Sequence, residues 1–227
     1  MRPPLKILAL ETSTELCSAA LWLDDAVDAR EVVAGQRNSE LLLPMVDALL
    51  TAHLLKPRDL DGIAFGSGPG AFTGIRIACG VAQGIAFGAG VPVVGIGTLA
   101  ALAQAAGASR VVCCLDARMG EVYHAAYERR GDDYLEVHGP GLYKPAAVPQ
   151  LPDGQWTGCG SGFAACRSVL DARYAGRLER VLDDLTPHAR EIAILAARQF
   201  ARGNGIDAAD AAPLYVRNKV ALRVNER

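Results

Sequence analysis

Residues 66–80 read GSGPGAFTGIRIACG. Five glycines fall within fifteen positions, together with one proline and one arginine, between two apolar runs. A stretch like this after a strand first suggests a phosphate cradle. A Walker loop needs G-x-x-x-x-G-K-[ST], and no glycine here precedes Lys-Ser or Lys-Thr. The dinucleotide fingerprint G-x-G-x-x-G/A is matched loosely by Gly66, Gly68 and Ala71. Its ribose-binding acid should close the next strand, VPVVGIG at 91–97, which carries no acid. What remains is a compact turn at Gly68, Pro69 and Gly70 with bare backbone N–H groups. Those groups, the following helix N-terminus and Arg76 could hold an anion, and the plainer reading is a turn that supports helix packing.

From about Phe72 to Phe87 the pattern becomes helical. Gly80, Gly84 and Gly88 are spaced by four and share one face. Each costs about 1 kcal/mol of helix propensity relative to alanine. That cost fits a place where another backbone comes close, either within this lobe or from another protein. Ile75, Ala78, Val81, Ala82 and Ile85 make the other faces apolar. The helix predicted at SELLLPMVDALLTAHL, capped by Asn38 or Ser39, is also broadly apolar, and one small lobe can bury only part of two such surfaces.

Working outward, residues 5–13 and 16–23 read as a strand hairpin, and 29–35 as a third strand. The strand at 60–65, the glycine stretch with its helix, and 91–97 form a β-loop-α-β unit of a parallel sheet. A helix from Thr98 to about Ala106 is expected to close this half. The second half opens on another hairpin, 111–119 and 121–130. Residues 139–154 read as irregular, QWTGCGSG as a strand entering a glycine turn, and GFAACRSVLDAR as a helix. A long helix follows, capped by Thr186 with Pro187 at its first position, and then an extended tail, APLYVRNKVALR. Two related lobes are therefore expected, 1–106 and 107–227, with the 187–203 helix able to pack back on the first.

The 227 residues are 51% apolar and 21% charged, with a net charge of −2, which is a globular composition with no large nucleic-acid footprint. No apolar run reaches the roughly 20 residues of a membrane span. The start runs directly into strand-like sequence without a signal-peptide cleavage pattern, so the expected location is the cytoplasm. The six cysteines show no C-x-x-C and sit in apolar segments, which reads as buried thiols. His53, His124, His138 and His188 form no metal-ligand spacing. There is no G-x-S-x-G nucleophile elbow. The remaining catalytic reading uses Glu11 at the end of the first strand and Asp116 at the matching point of the second lobe. Such acids could face a central cleft and hold magnesium or water, with GCGSG (Gly158, Gly160, Gly162) approaching a nucleotide.

ILALETSTELCSAAL, SELLLPMVDALL, DLDGIAFGSGPGAFTGIRIACGVAQGIAF, VPVVGIGTLAALA, DARMGEVYHAAY and PLYVR closely resemble segments of the bacterial TsaB family, also called YeaZ. The resemblance runs from Leu5 to about Val220 and is strongest over 5–130. It implies an α/β, two-lobed actin-like ATPase (ASKHA, ribonuclease H-like) fold, with mixed sheets flanked by helices. It implies a noncatalytic paralogue and dimerisation partner of TsaD, the subunit that transfers the threonylcarbamoyl group to tRNA adenine to make N6-threonylcarbamoyladenosine (t6A). TsaC or a relative supplies threonylcarbamoyl-adenylate, and the P-loop ATPase TsaE joins the complex. TsaD's metal-binding H-x-x-x-H pair falls on a helix that here carries Gln36, Ser39 and Glu40, so the resemblance implies no metal and no cofactor. It implies partner contact through Leu41, Leu42, Met45, Val46, Leu49, Ile77, Val81 and Gly84, and a homodimer when TsaD is absent. The family's peptidase M22-like label finds no protease machinery here. The alternative expectation is an ASKHA-fold nucleotide-binding enzyme with weak ATPase activity of its own, using Glu11 and Asp116.

Overall fold

The computed structural model describes residues 5–216. The first lobe carries β1 (Lys6–Glu11), β2 (Leu16–Leu23), β3 (Ala26–Val33), α1 (Asn38–Ala52), β4 (Gly62–Gly68), α2 (Phe72–Ala89), β5 (Val93–Gly97) and α3 (Thr98–Ala106). The second carries β6 (Arg110–Asp116), β7 (Val122–Arg130), β8 (Asp133–Tyr143), β9 (Trp156–Cys159), α4 (Ser161–Arg173), β10 (Leu178–Leu182) and α5 (Ala189–Ala201). The sheet orders are β3-β2-β1-β4-β5 and β10-β9-β6-β7-β8. Read from its antiparallel edge, the second sheet repeats the first strand for strand: three antiparallel strands, then two parallel ones. The two lobes are thus one topology used twice.

Strand alternation decides what each helix covers. In the first sheet Leu8, Leu10, Cys17, Leu21, Ile63 and Phe65 turn toward α1 and α2. Ile7, Ala9, Ala20 and Ala64 turn the other way and meet Ala189, Ile192, Ala193 and Ala196 of α5. In the second sheet Cys113 faces α3 through Leu99, Leu102 and Ala103, while its neighbour Cys114 faces Phe163 and Leu170 of α4. The last helix of each lobe is therefore exchanged between the two. The expectation that α3 closes the first lobe is corrected: most of its buried side chains complete the second core, and α5 covers the first sheet. Small residues make this possible, because the alanines of α3 and α5 let two sheets approach a shared helical layer.

Other elements shift for local reasons. The hairpin into β3 turns at Asp24 and Asp25, both in the left-handed region (φ 49° and 65°), as a tight two-residue hairpin requires, so β3 begins at Ala26 and not at 29. The stretch expected to be irregular from 139 is strand as far as Tyr143. Gly139 and Pro140 are absorbed by a bulge, since His124 pairs with Gly141 but Ala126 with His138, and an edge strand tolerates the missing N–H. The short edge strand β10, with charged residues at its centre, had no sequence signal. α5 is capped by His188, whose Nδ1 accepts the Arg190 N–H, and not by Thr186. Asn38 makes no cap on α1; its amide donates to the Thr14 carbonyl at 3.4 Å. By length and composition alone α2 is apolar enough to cross a membrane; here its inner face packs on the first sheet. The tail, expected to be extended, carries no helix or strand from Ala211 to Val216, and its remainder lies outside the described residues.

Candidate functional site

The glycine stretch is shaped around the β1–β2 turn. A Cβ at Gly66 would lie 2.0 Å from Glu11 Oε2, one at Gly70 2.5 Å from Ser13 Cβ, and one at Gly74 1.9 Å from the Thr12 carbonyl oxygen. Across the same contact Thr12 Oγ1 donates to the Gly74 carbonyl (2.7 Å) and the Ala71 N–H donates to the Ser13 carbonyl (2.8 Å). Gly68, at φ 108° and joined to Pro69 by a cis peptide bond, donates its N–H to Thr98 Oγ1 (3.1 Å). The two segments Glu11–Ser13 and 66–74 are thus two halves of one packed unit, and the Gly68 and Ala71 N–H groups are directed inward.

This changes the reading of the two acids. Glu11 does not face a cleft: it is fully buried and Oε1 accepts the Ser13 N–H. Burial pushes its carboxyl above the usual range against the pull of the Ser13 and Thr12 hydrogen bonds. Asp116 lies at the matching turn, where its carboxylate accepts the Arg118 N–H (2.8 Å) and meets the Arg118 guanidinium (3.3 Å). Arg118 also reaches Glu15 of the other lobe at 3.5 Å, an exposed ion pair that joins the two hairpin turns weakly. The Asp116 N–H donates to Ser161 Oγ at 3.1 Å.

The GCGSG glycines are likewise used inside the lobe. A Cβ at Gly158 would meet the Phe163 ring at 2.7 Å, at Gly160 the Cys114 carbonyl oxygen at 2.6 Å, and at Gly162 the Cys114 backbone at 2.8 Å. They bring α4 down onto β6. Among the described residues no group of three or more His, Cys, Asp and Glu converges as a metal site. A groove of about 650 Å³ at the far end of the second sheet is lined by Arg110, Arg129, Arg130 and Glu128, and Glu128 already pairs with Arg110 (2.8 Å) and Arg130 (3.4 Å).

The helix glycines behave differently. At Gly80, Gly84 and Gly88 an added Cβ would meet nothing within 4 Å, and all three are exposed. Beside them runs the seam between α2 and α1, where Ile77, Val81 and Ile85 approach Leu41 and Met45, all half-buried. Leu42, Val46 and Leu49, expected at a partner contact, are buried in the first lobe's own core, so α1 offers Leu41, Met45 and the exposed Leu43 instead. Phe87, 82% exposed, stands on the open side of α2. Arg76 is settled too: its guanidinium stacks on Phe72 and its Nε donates to Tyr215 Oη at 2.8 Å. Tyr215 is 139 residues away in sequence, so nothing local to Arg76 signalled it.

The chain matches the family model described as TsaD, tRNA N6-adenosine threonylcarbamoyltransferase, over residues 32–223. It is 39% identical to the tRNA threonylcarbamoyladenosine biosynthesis protein TsaB of Escherichia coli K12, over 96% of this chain and 97% of that one. It is 36% identical to the TsaB of Haemophilus influenzae, over 96% of each. The chain belongs to the TsaB family. The solved structure of YeaZ from Pseudomonas aeruginosa superposes with a TM-score of 0.86 at 38% identity, covering 93% of this chain and 99% of that one. A second structure, described as similar to peptidase YeaZ from the same organism, gives 0.87. The TsaB fold is thus the two-lobed ASKHA-like α/β fold, and its LETS and GPGAFTGIR segments are the two sides of the contact at Glu11–Ser13. In this TsaB-family chain Glu11 is buried, Asp116 meets Arg118, and α2 carries an open face.

Proposed function

We propose that this chain is the noncatalytic dimerisation subunit of the assembly that makes t6A in tRNA, and that it supports TsaD by binding energy, not by bond chemistry. One observation carries the reading: α2 presents three glycines in open space beside an apolar seam, at a cost in helix stability that no contact among the described residues requires. Such a surface admits another backbone closely. The names of the TsaB relatives and the match to the TsaD family model make a chain of the same fold the partner of choice. TsaD then occupies this face, a second copy of the chain takes it when TsaD is absent, and TsaE and tRNA join through the complex in the cytoplasm. The contact residues are Leu41, Met45, Ile77, Val81 and Gly84. Val81→Arg combined with Met45→Glu is expected to abolish copurification with TsaD while the monomer keeps its circular dichroism and melting profile. Unchanged affinity in calorimetry would overturn the surface. Reconstitution of tRNA modification with and without this chain tests the role itself, and full activity of TsaD without it would reject a required partner.

A further inference from the structure

After α5 the chain runs back over α2 as a strap. The Ile206 N–H and carbonyl pair with Val93 (2.9 Å each), and Gln83 Nε2 donates to the carbonyls of Ala208 and Ala211 (3.1 Å each). The Leu214 N–H donates to the Ser67 carbonyl at 2.7 Å. The strap reaches the open face of α2 at Tyr215. There the Arg76 guanidinium lies 3.5 Å from the Phe72 ring centre and 5.3 Å from that of Tyr215, with the two rings 6.1 Å apart. All three side chains are exposed, Phe72 at 38% and Tyr215 at 47%. Phe72, Arg76, Gly80 and Gly84 follow one another at intervals of four along α2, so the stack stands at the head of the glycine row.

The hydrogen bonding of Arg76 gives the stack a direction. Among the described residues its Nε alone has a partner, Tyr215 Oη. Among the described residues the four terminal N–H groups meet no acceptor, and they face the open side of α2. A guanidinium fixed by two rings has already lost the side-chain freedom that binding would otherwise cost, and its fork matches a carboxylate with two parallel hydrogen bonds. We propose that the Phe72–Arg76–Tyr215 stack is the polar anchor of the partner face and takes a carboxylate side chain of the partner subunit in bidentate fashion. The strap is thereby part of the recognition surface, because it supplies the tyrosine that holds the guanidinium in register. The inference rests on the reading of α2 as the partner face.

Titration calorimetry of the full chain with TsaD, at several salt concentrations, tests it. Arg76→Gln is expected to weaken pairing at least 10-fold and to reduce its salt dependence. Arg76→Lys keeps the charge but loses the fork and the stack, and is expected to weaken pairing nearly as much. Tyr215→Phe removes only the hydrogen bond to Nε and is expected to cost a few-fold. If Arg76→Gln binds as tightly as the parent with the same salt dependence while Val81→Arg with Met45→Glu abolishes pairing, the anchor is wrong and the surface stands. If neither variant changes affinity, the surface itself is wrong. If Arg76→Gln weakens pairing but Arg76→Lys binds as tightly as the parent, a point charge suffices and not the stacked fork, which overturns the proposal.

Discussion

Two sets of glycines lie within one continuous stretch of this chain, and they have opposite causes. Gly66, Gly70 and Gly74 are glycines because the β1–β2 turn occupies the space a Cβ would need, to within 2.0, 2.5 and 1.9 Å. At Gly80, Gly84 and Gly88, one to four helical turns further on, an added Cβ would meet nothing within 4 Å beyond the helix's own backbone among the described residues. The first set is required by the fold. The second weakens the helix and gives the fold nothing in return. That difference separates the packed unit from the open face of α2, the face proposed above for the partner.

Gly74→Ala attacks the first set directly. Its Cβ would press on a backbone carbonyl that no rotamer change can move, so a loss of about 3 kcal/mol or more is expected in urea unfolding. A loss below about 1 kcal/mol would show that the turn can yield, and the contrast would weaken. A second interior test lies in the other lobe. His124 is fully buried, neither ring nitrogen has a hydrogen-bond partner among the described residues, and Tyr143, Tyr174 and His138 surround it. Burial, with His138 nearby, lowers its pKa to about 3. The unfolded chain takes up this proton near pH 6.5 and the folded chain does not, so this stability is complete above pH 6.5 and is lost as pH falls toward 3. The loss at pH 5 is about 2 kcal/mol. His124→Phe should flatten the pH dependence of the melting temperature between pH 7 and 5, and an unchanged slope would place the acid-sensitive group elsewhere. The smallest effect has the opposite sign. Gly84→Ala, made in the Val81→Arg, Met45→Glu monomer, should raise stability by about 1 kcal/mol. Destabilisation there would mean that the glycine row serves the fold after all.

Glu11 and Asp116 show why position in sequence does not settle a role. Both close the first strand of a hairpin, at equivalent points of a repeated topology. One is sealed beneath Gly66 and the other is held by Arg118 at the surface. Matching places in two lobes have matching backbones but different neighbours, and the neighbours decide whether a carboxylate is buried, paired or free.

The alternation of Ile7, Leu8, Ala9 and Leu10, the spacing of apolar residues along α1 and α2, and the Gly-Pro-Gly turn were enough to specify strands, helices, a parallel β-α-β unit and two similar halves, because these signals are local and periodic. The LETS and GPGAFTGIR segments were enough to identify the family. Three things depended on the tertiary structure. The exchange of α3 and α5 between the lobes, the burial of Leu42, Val46 and Leu49, and the pairing of Arg76 with Tyr215 each join residues far apart in the chain, and no local period encodes which face meets which. The question raised by the glycine stretch was of this kind. Its composition announced close approach, but only the packed chain could show that the first half of it is approached from within and the second half has been left open.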